Sequence, residues 1–237
     1  MPRLNEAKKN KKDEFYTQLE DIEREMRFYV KHFKNKTILC NCDDPRISNF
    51  FHYFSYSFED LKLKKLITTC YKSQERDLFS KNKSEKSIYL EYNGDKNNNK
   101  IPDVEEIGIQ YFKGDGDFRS EEAIELLKKS DMITIHVPKQ KKPLIEKKEL
   151  KLMKEEAFIV NSSRGGVINE KDLIDALNNR EIKCAGLDVY ENEPKPNMSV
   201  LMNEHISLSP HIGAATIEAQ ERIGSELAEQ INKILNG

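Results

Sequence analysis

Thr37-Ile38-Leu39-Cys40, followed by Asn41-Cys42-Asp43-Asp44-Pro45 and then by the aromatic-rich run from Ser48 to Phe58, decides the fold. The first four residues read as a short buried strand, the Asn/Asp/Pro cluster as a turn, and the aromatic run as a helix. Strand, turn and helix in that order open a βαβ unit. Upstream, Phe15, Leu19, Ile22, Met26, Tyr29, Val30 and Phe33 recur at three- and four-residue steps. That spacing predicts one amphipathic helix from Glu14 to about Lys34-Asn35. Downstream, the β-branched run Lys65 to Tyr71 supplies a second strand and Ile107 to Phe112 a third.

The alternation continues. Ser120 is placed to cap a helix carrying Ala123, Ile124 and Leu127 and ending near Ser130. Strand-like runs follow at Met132–Val137, Ala157–Val160, Lys183–Leu187 and Ile206–Leu208, separated by helical stretches around 147–154, 170–179 and 214–236. Seven short strands alternating with helices predict an α/β, doubly wound parallel Rossmann-like sheet with helices on both faces, because parallel strands need crossovers. Residues 72–104 are polar, and Ser87 to Tyr92 runs into Asn93-Gly94, a hairpin signal. The region near 80–104 therefore reads as a polar hairpin inserted outside the sheet. Ligands of such sheets bind beyond the carboxyl ends of the strands. Function is expected in the loops at 41–48, 71–76, 113–118, 136–142, 161–166, 188–194 and 209–216.

Composition narrows the class. The 237 residues are 34% charged and 37% apolar with no Trp, and 39 basic against 41 acidic residues give a net charge of -2. That is long enough for a sizeable core, and the balance neither demands nor excludes a nucleic-acid partner. No run approaches the roughly 18 apolar residues of a membrane span, and Met1 to Glu6 lacks the apolar core of a secretory signal, so a cytoplasmic address is expected. Three of the four cysteines (Cys40, Cys70 and Cys184) sit in strand-like runs and read as core; Cys42 falls in the turn. Arg3, Lys8, Lys9, Lys11 and Lys12 form a basic arm that could touch phosphates.

Two stretches carry family resemblances. Asn161-Ser162-Ser163-Arg164-Gly165-Gly166-Val167-Ile168, Leu187-Asp188-Val189-Tyr190-Glu191-Asn192-Glu193-Pro194 and Ser209-Pro210-His211-Ile212-Gly213-Ala214-Ala215-Thr216 each follow a predicted strand. Together they resemble the NAD-dependent D-isomer-specific 2-hydroxyacid dehydrogenases, phosphoglycerate dehydrogenase above all, from about Asp131 to Gly237. The resemblance implies that Arg164 holds the substrate carboxylate and carbonyl, His211 is the general acid/base, and Glu193 orients it. It also implies that Asp188 contacts the nicotinamide side of NAD, with Ser163, Val137, Pro138 and Gly213 around it. The substrate would be a small hydroxyacid, and such enzymes are usually dimers. The chemistry is coherent by itself: hydride addition to a ketone leaves negative charge on oxygen, which a protonated His beside an Arg stabilises.

The first half is similar to another family. Asp13 to Gln18, Cys40 to Phe50, Leu66 to Tyr71 and Gly114-Asp115-Gly116-Asp117-Phe118-Arg119 resemble adenine-specific DNA methyltransferases of restriction-modification systems, over about residues 5–131. By that resemblance Tyr16, Asn41 and Asp43 line an S-adenosylmethionine pocket, and Asp115 or Asp117 binds the adenine amine. The chain thus divides into a methyltransferase-like half, 1–131, and a dehydrogenase-like half, 132–237, expected to form one composite Rossmann-like domain. The strand at 37–40 should lie beside that at 132–137, one from each half.

Each half lacks something. Amine methyltransferases need Asn or Asp, then Pro-Pro and an aromatic, after the fourth strand, where this chain has Ile135-His136-Val137-Pro138-Lys139. A dinucleotide's pyrophosphate normally rests on a glycine-rich turn, whereas Asn41 to Pro45 holds no glycine and two carboxylates. At ~4 Å and an effective dielectric of about 20, a carboxylate facing a phosphate costs roughly 4 kcal/mol, about a thousandfold in affinity. Three functions remain open: an NAD-dependent 2-hydroxyacid oxidoreductase, an S-adenosylmethionine-binding module with DNA contacts, and a non-catalytic fusion.

Overall fold

Apolar strands between amphipathic helices can bury both faces only by stacking side by side under those helices, and the chain does so in one eight-stranded sheet. A computed structural model describes residues 19–41, 48–70, 87–114, 116, 120–137, 139 and 141–212. Helices α1 (Leu19–Met26) and α2 (Val30–Phe33) precede β1 (Thr37–Asn41), and α3 (Asn49–Tyr56) and α4 (Phe58–Leu61) lead to β2 (Lys65–Cys70). Then come β3 (Ile88–Tyr92), β4 (Gly108–Tyr111), α5 (Glu121–Lys129), β5 (Met132–Ile135), α6 (Lys147–Leu150) and β6 (Phe158–Asn161). The described chain closes with α7 (Glu170–Asn178), β7 (Cys184–Leu187), α8 (Met198–Leu201) and β8 (Ile206–Leu208).

The sheet order is β4-β3-β2-β1-β5-β6-β7-β8, so the winding reverses between β1 and β5. This is the α/β, mostly parallel architecture expected. Ser120 caps α5 as expected, its hydroxyl accepting the Ala123 N–H at 3.3 Å.

Two expectations need correction. The stretch read as a hairpin outside the sheet contributes β3, an eighth strand antiparallel to both β2 and β4. Its burial alternates, with Ile88, Leu90 and Tyr92 covered and Tyr89 and Glu91 half-exposed, which is the period of a strand with one buried face. Asn93-Gly94 does not close a tight hairpin; the connection to β4 runs from 93 to 107. The single helix expected from Glu14 to Lys34 is interrupted: after α1 the chain turns at Arg27-Phe28-Tyr29, with Phe28 62% and Tyr29 51% exposed. Consecutive aromatic and β-branched residues lose side-chain freedom in a helix, which favours the break there. The basic arm and the 214–236 helix lie outside the described residues.

β1 and β5 meet in a continuous ladder. Ile38 pairs with Met132, Leu39 with Ile133, Cys40 with Thr134 and Asn41 with Ile135. Alternation sends Leu39 and Ile133 into one core, with Ile67, Leu127 and Ile159, and Ile38, Cys40 and Met132 into the other, with Phe51, Phe54 and Leu66. Leu39 is 0% and Ile133 1% exposed, and each core draws on both β1 and β5.

Asp131 ties the strand starts together. Its Oδ2 accepts the Thr37 N–H at 2.7 Å and its Oδ1 meets Lys154 Nζ at 2.9 Å, while its own N–H bonds the Thr37 carbonyl. Burial pushes this carboxyl up, but the Thr37 and Lys154 hydrogen bonds outweigh it and the net shift is downward. A group with a depressed folded pKa stabilises fully above its unfolded value and loses that contribution as pH falls through the folded one. Urea midpoints should therefore drop on acidification below about pH 4, and Asp131→Asn should flatten that drop. An unchanged acid slope in the variant would refute the assignment.

Candidate active site

Six parallel strands, β2, β1, β5, β6, β7 and β8, end at one rim. Asn161, the last residue of β6, is 2% exposed and shapes the next turn: its Oδ1 accepts the Ser163 N–H (3.0 Å) and hydroxyl (2.8 Å), and its Nδ2 donates to the Arg164 carbonyl (3.0 Å). This presents Arg164, whose Nη1 bonds the Ser163 carbonyl at 2.7 Å, as an exposed side chain. A Cβ added to Gly165 would sit 1.7 Å from the Tyr190 carbonyl oxygen. Only glycine lets the β6 loop lie against the β7 loop so closely.

The β7 loop carries Asp188, Tyr190 and Glu193, and the β8 loop carries Ser209 and His211. Tyr190 joins them: its hydroxyl donates to the Ser209 carbonyl at 2.6 Å, and its N–H donates to Glu193 Oε1 at 2.9 Å. Asp188 Oδ1 accepts the Ser209 hydroxyl (2.6 Å) and the Ile212 N–H (3.1 Å). His211 has φ 54°, a left-handed turn held by these bonds. Its Nδ1 lies 2.7 Å from Glu193 Oε2. The Glu193 carboxyl is held below the usual range first by the Tyr190 N–H, then by His211 and by the nearby Arg164 charge. Arg164, Glu193 and His211 are all solvent-exposed.

Where the winding reverses, β1 and β5 frame a second group. The Asn41 side chain is 3% exposed; its Nδ2 donates to Thr69 Oγ1 at 3.0 Å, and its Oδ1 is buried without a partner. The His136 ring stacks on Phe50 (4.5 Å between centroids) and its Nε2 lies 2.7 Å from Thr134 Oγ1. Burial pushes its imidazole down to about 4, so it is neutral at pH 7. Val137 follows it, two residues past the end of β5.

Of the residues singled out from the sequence, the fold brings together Arg164, Glu193, His211, Asp188 and Ser163, and sets Asn41 and Val137 at the switch point. Tyr16, Asp43, Asp115, Asp117, Pro138 and Gly213 lie outside the described residues. Asn161, Gly165 and Tyr190, quoted within the motifs but given no role from the sequence, position the others. The paired Gly165-Gly166 was the available signal. Among the described residues no helix is long and apolar enough to cross a membrane.

The family model for the adenine-specific methyltransferase EcoRI matches residues 3–181. The chain belongs to this methyltransferase family. It is 49% identical over 135 residues to type II methyltransferase M.EcoRI of Escherichia coli, covering 57% of this chain and 41% of that protein. It is also 45% identical over 115 residues to D-3-phosphoglycerate dehydrogenase of Methanocaldococcus jannaschii, covering 48% of this chain and 22% of that one. Among solved structures, a putative D-isomer specific 2-hydroxyacid dehydrogenase, NAD-binding, from Polaromonas superposes with a TM-score of 0.55 at 20% identity, over 86% of this chain and 52% of that one, a likeness of fold. This EcoRI-methyltransferase family member is thus a chimera that also carries a 2-hydroxyacid dehydrogenase likeness. It spans less than half the length of these curated relatives. The methyltransferase match runs through β5 and β6.

Proposed function

We propose that the chain keeps the hydride-transfer apparatus of a D-2-hydroxyacid dehydrogenase, working with NAD on a small 2-hydroxyacid or its 2-oxoacid partner. The observation that carries this is the 2.7 Å contact between His211 and Glu193 beside Arg164. NAD supplies or accepts the hydride when bound. His211 gives a proton from Nε2 to the carbonyl oxygen as charge develops there, and takes it back in the reverse direction. Glu193 accepts the Nδ1–H, fixing the tautomer and stabilising the imidazolium. Arg164 offers its guanidinium fork to the substrate carboxylate. Asp188, Ser163 and Val137 flank the nicotinamide side, with Pro138 and Gly213 adjoining in sequence.

The nicotinamide end of the site suits NAD; the pyrophosphate end does not. By sequence, Asn41-Cys42-Asp43-Asp44-Pro45 after β1 holds two carboxylates and no glycine, so an affinity only in about the millimolar range is expected. NADH fluorescence titration should therefore give a Kd near ~1 mM. His211→Gln should leave that Kd unchanged while lowering NADH-dependent glyoxylate reduction by about 100-fold or more. No fluorescence change at several millimolar would remove the reading.

A second reading rests on Asn41. Its buried, unpartnered Oδ1 at the switch point is an acceptor suited to a nucleoside donor. With the EcoRI family match, this favours S-adenosylmethionine as the alternative cofactor and DNA as the accompanying partner. Calorimetry with S-adenosylmethionine and its demethylated product separates the two. Residues 1–131 and 132–237 are proposed as halves of one composite domain, in a cytoplasmic protein able to form homodimers.

A further inference from the structure

The connection from β3 to β4 bears oxygen-carrying side chains at regular intervals: Asp95, Asn97, Asn99, Asp103 and Glu106. Counted from Asp95, they occupy the first, third, fifth, ninth and twelfth places, with the Ile101 carbonyl at the seventh. That is the ligand order of the 12-residue loop in helix–loop–helix calcium proteins. The sixth place of such loops turns sharply and is ordinarily glycine. Here it is Lys100, and its φ of 62° adopts the left-handed turn nonetheless.

The side chains fold inward over the loop. Asp95 accepts the N–H groups of Asn98 (2.7 Å) and Lys100. Asn97 Oδ1 accepts the Asn99 N–H (2.9 Å), Asn99 Oδ1 the Ile101 N–H (2.7 Å), and both side-chain amides donate to Asp103 Oδ2 (2.6 and 2.7 Å). Glu106 supplies an independent observation. Its Oε1 accepts the Lys96 and Asn97 N–H groups, whereas its Oε2 is shut off from solvent and has no partner. A buried carboxylate oxygen without a donor is an acceptor awaiting a cation.

We propose that residues 95–106 form a binding loop for a hard divalent cation, calcium above all. Ligands would come from Asp95, Asn97, Asn99, the Ile101 carbonyl, Asp103 and Glu106. Among the described residues no three carboxylate, imidazole or thiol groups meet at metal-ligand spacing. Closure therefore turns the Asn97 and Asn99 amides over, putting carbonyl oxygens where amide nitrogens now bond Asp103, and draws Glu106 in. Calcium tolerates this flexible, oxygen-rich set, whereas magnesium demands a tight octahedron. The loop is anchored beside α4, where Glu59 Oε1 accepts the Asp95 N–H at 3.3 Å, so a bound cation would pin the β3–β4 edge of the sheet.

Calcium chloride titrated into the full chain by calorimetry tests this, with terbium luminescence excited through tyrosine as a second readout, since the chain has nine Tyr and no Trp. The expected Kd is ~1 mM or tighter, with magnesium at least about tenfold weaker. Glu106→Gln should weaken binding at least about tenfold. Lys100→Gly should tighten it about threefold or more, by relieving the left-handed turn and removing a positive charge, a gain that misfolding cannot imitate. Absence of heat and luminescence at ~10 mM calcium in protein with folded circular dichroism would overturn the proposal. So would Glu106→Gln binding within about twofold of the parent, or magnesium binding as tightly as calcium.

Discussion

Gly165→Ala is expected to cost at least about 3 kcal/mol, a large share of the roughly 5–15 kcal/mol that holds a domain folded. The new methyl would meet the Tyr190 carbonyl oxygen at 1.7 Å and the carbonyl carbon at 2.3 Å, and backbone cannot swing aside as a flexible side chain can. Relief requires the β6 and β7 loops to part. Arg164 sits on one and Glu193 on the other, so the variant should also lose the grouping of Arg164 with Glu193 and His211. Gly166→Ala is the matched control: its φ of 78° strains alanine by about 1–2 kcal/mol, but its nearest neighbour is Glu191 Cγ at 4.0 Å. Urea denaturation of both variants, with the His211 ring resonances compared by NMR, checks the pair. Equal stability losses would show that the close approach does not constrain the loops.

Leu39→Ala in the β1–β5 ladder should cost ~2–5 kcal/mol, and Ile133→Ala a similar amount, because each leaves a cavity among fully buried neighbours. The double variant carries the sharper expectation. The two residues are register partners on adjacent strands and share one core, so their effects should couple by about 0.5–3 kcal/mol. Strict additivity, or two separate unfolding transitions, would mean that the proposed halves, residues 1–131 and 132–237, are not one cooperative unit. Cooperation is expected because neither half closes a core alone: Leu39 and Ile67 pack with Ile133 and Ile159 on one face, and Met132 joins Ile38 and Phe51 on the other.

Residue order by itself determined what depends on near neighbours. Apolar runs and turn chemistry set the parallel strands, Ser120 announced its helix, and Arg164, Glu193 and His211 came from the resemblance of three short motifs to the 2-hydroxyacid dehydrogenases. These signals are local, being periodicity, capping and short-range order along one strand. The fold alone decided what depends on approach between distant segments. β3 joined the sheet because β2 and β4 stood ready to pair with it, a long-range ladder that its polar flanks concealed. Gly165 matters only because Tyr190 lies against it, and Asn41 Oδ1 is orphaned only because β1 is buried between β2 and β5. Contacts of this kind are set by packing at van der Waals distance, which no window of sequence contains.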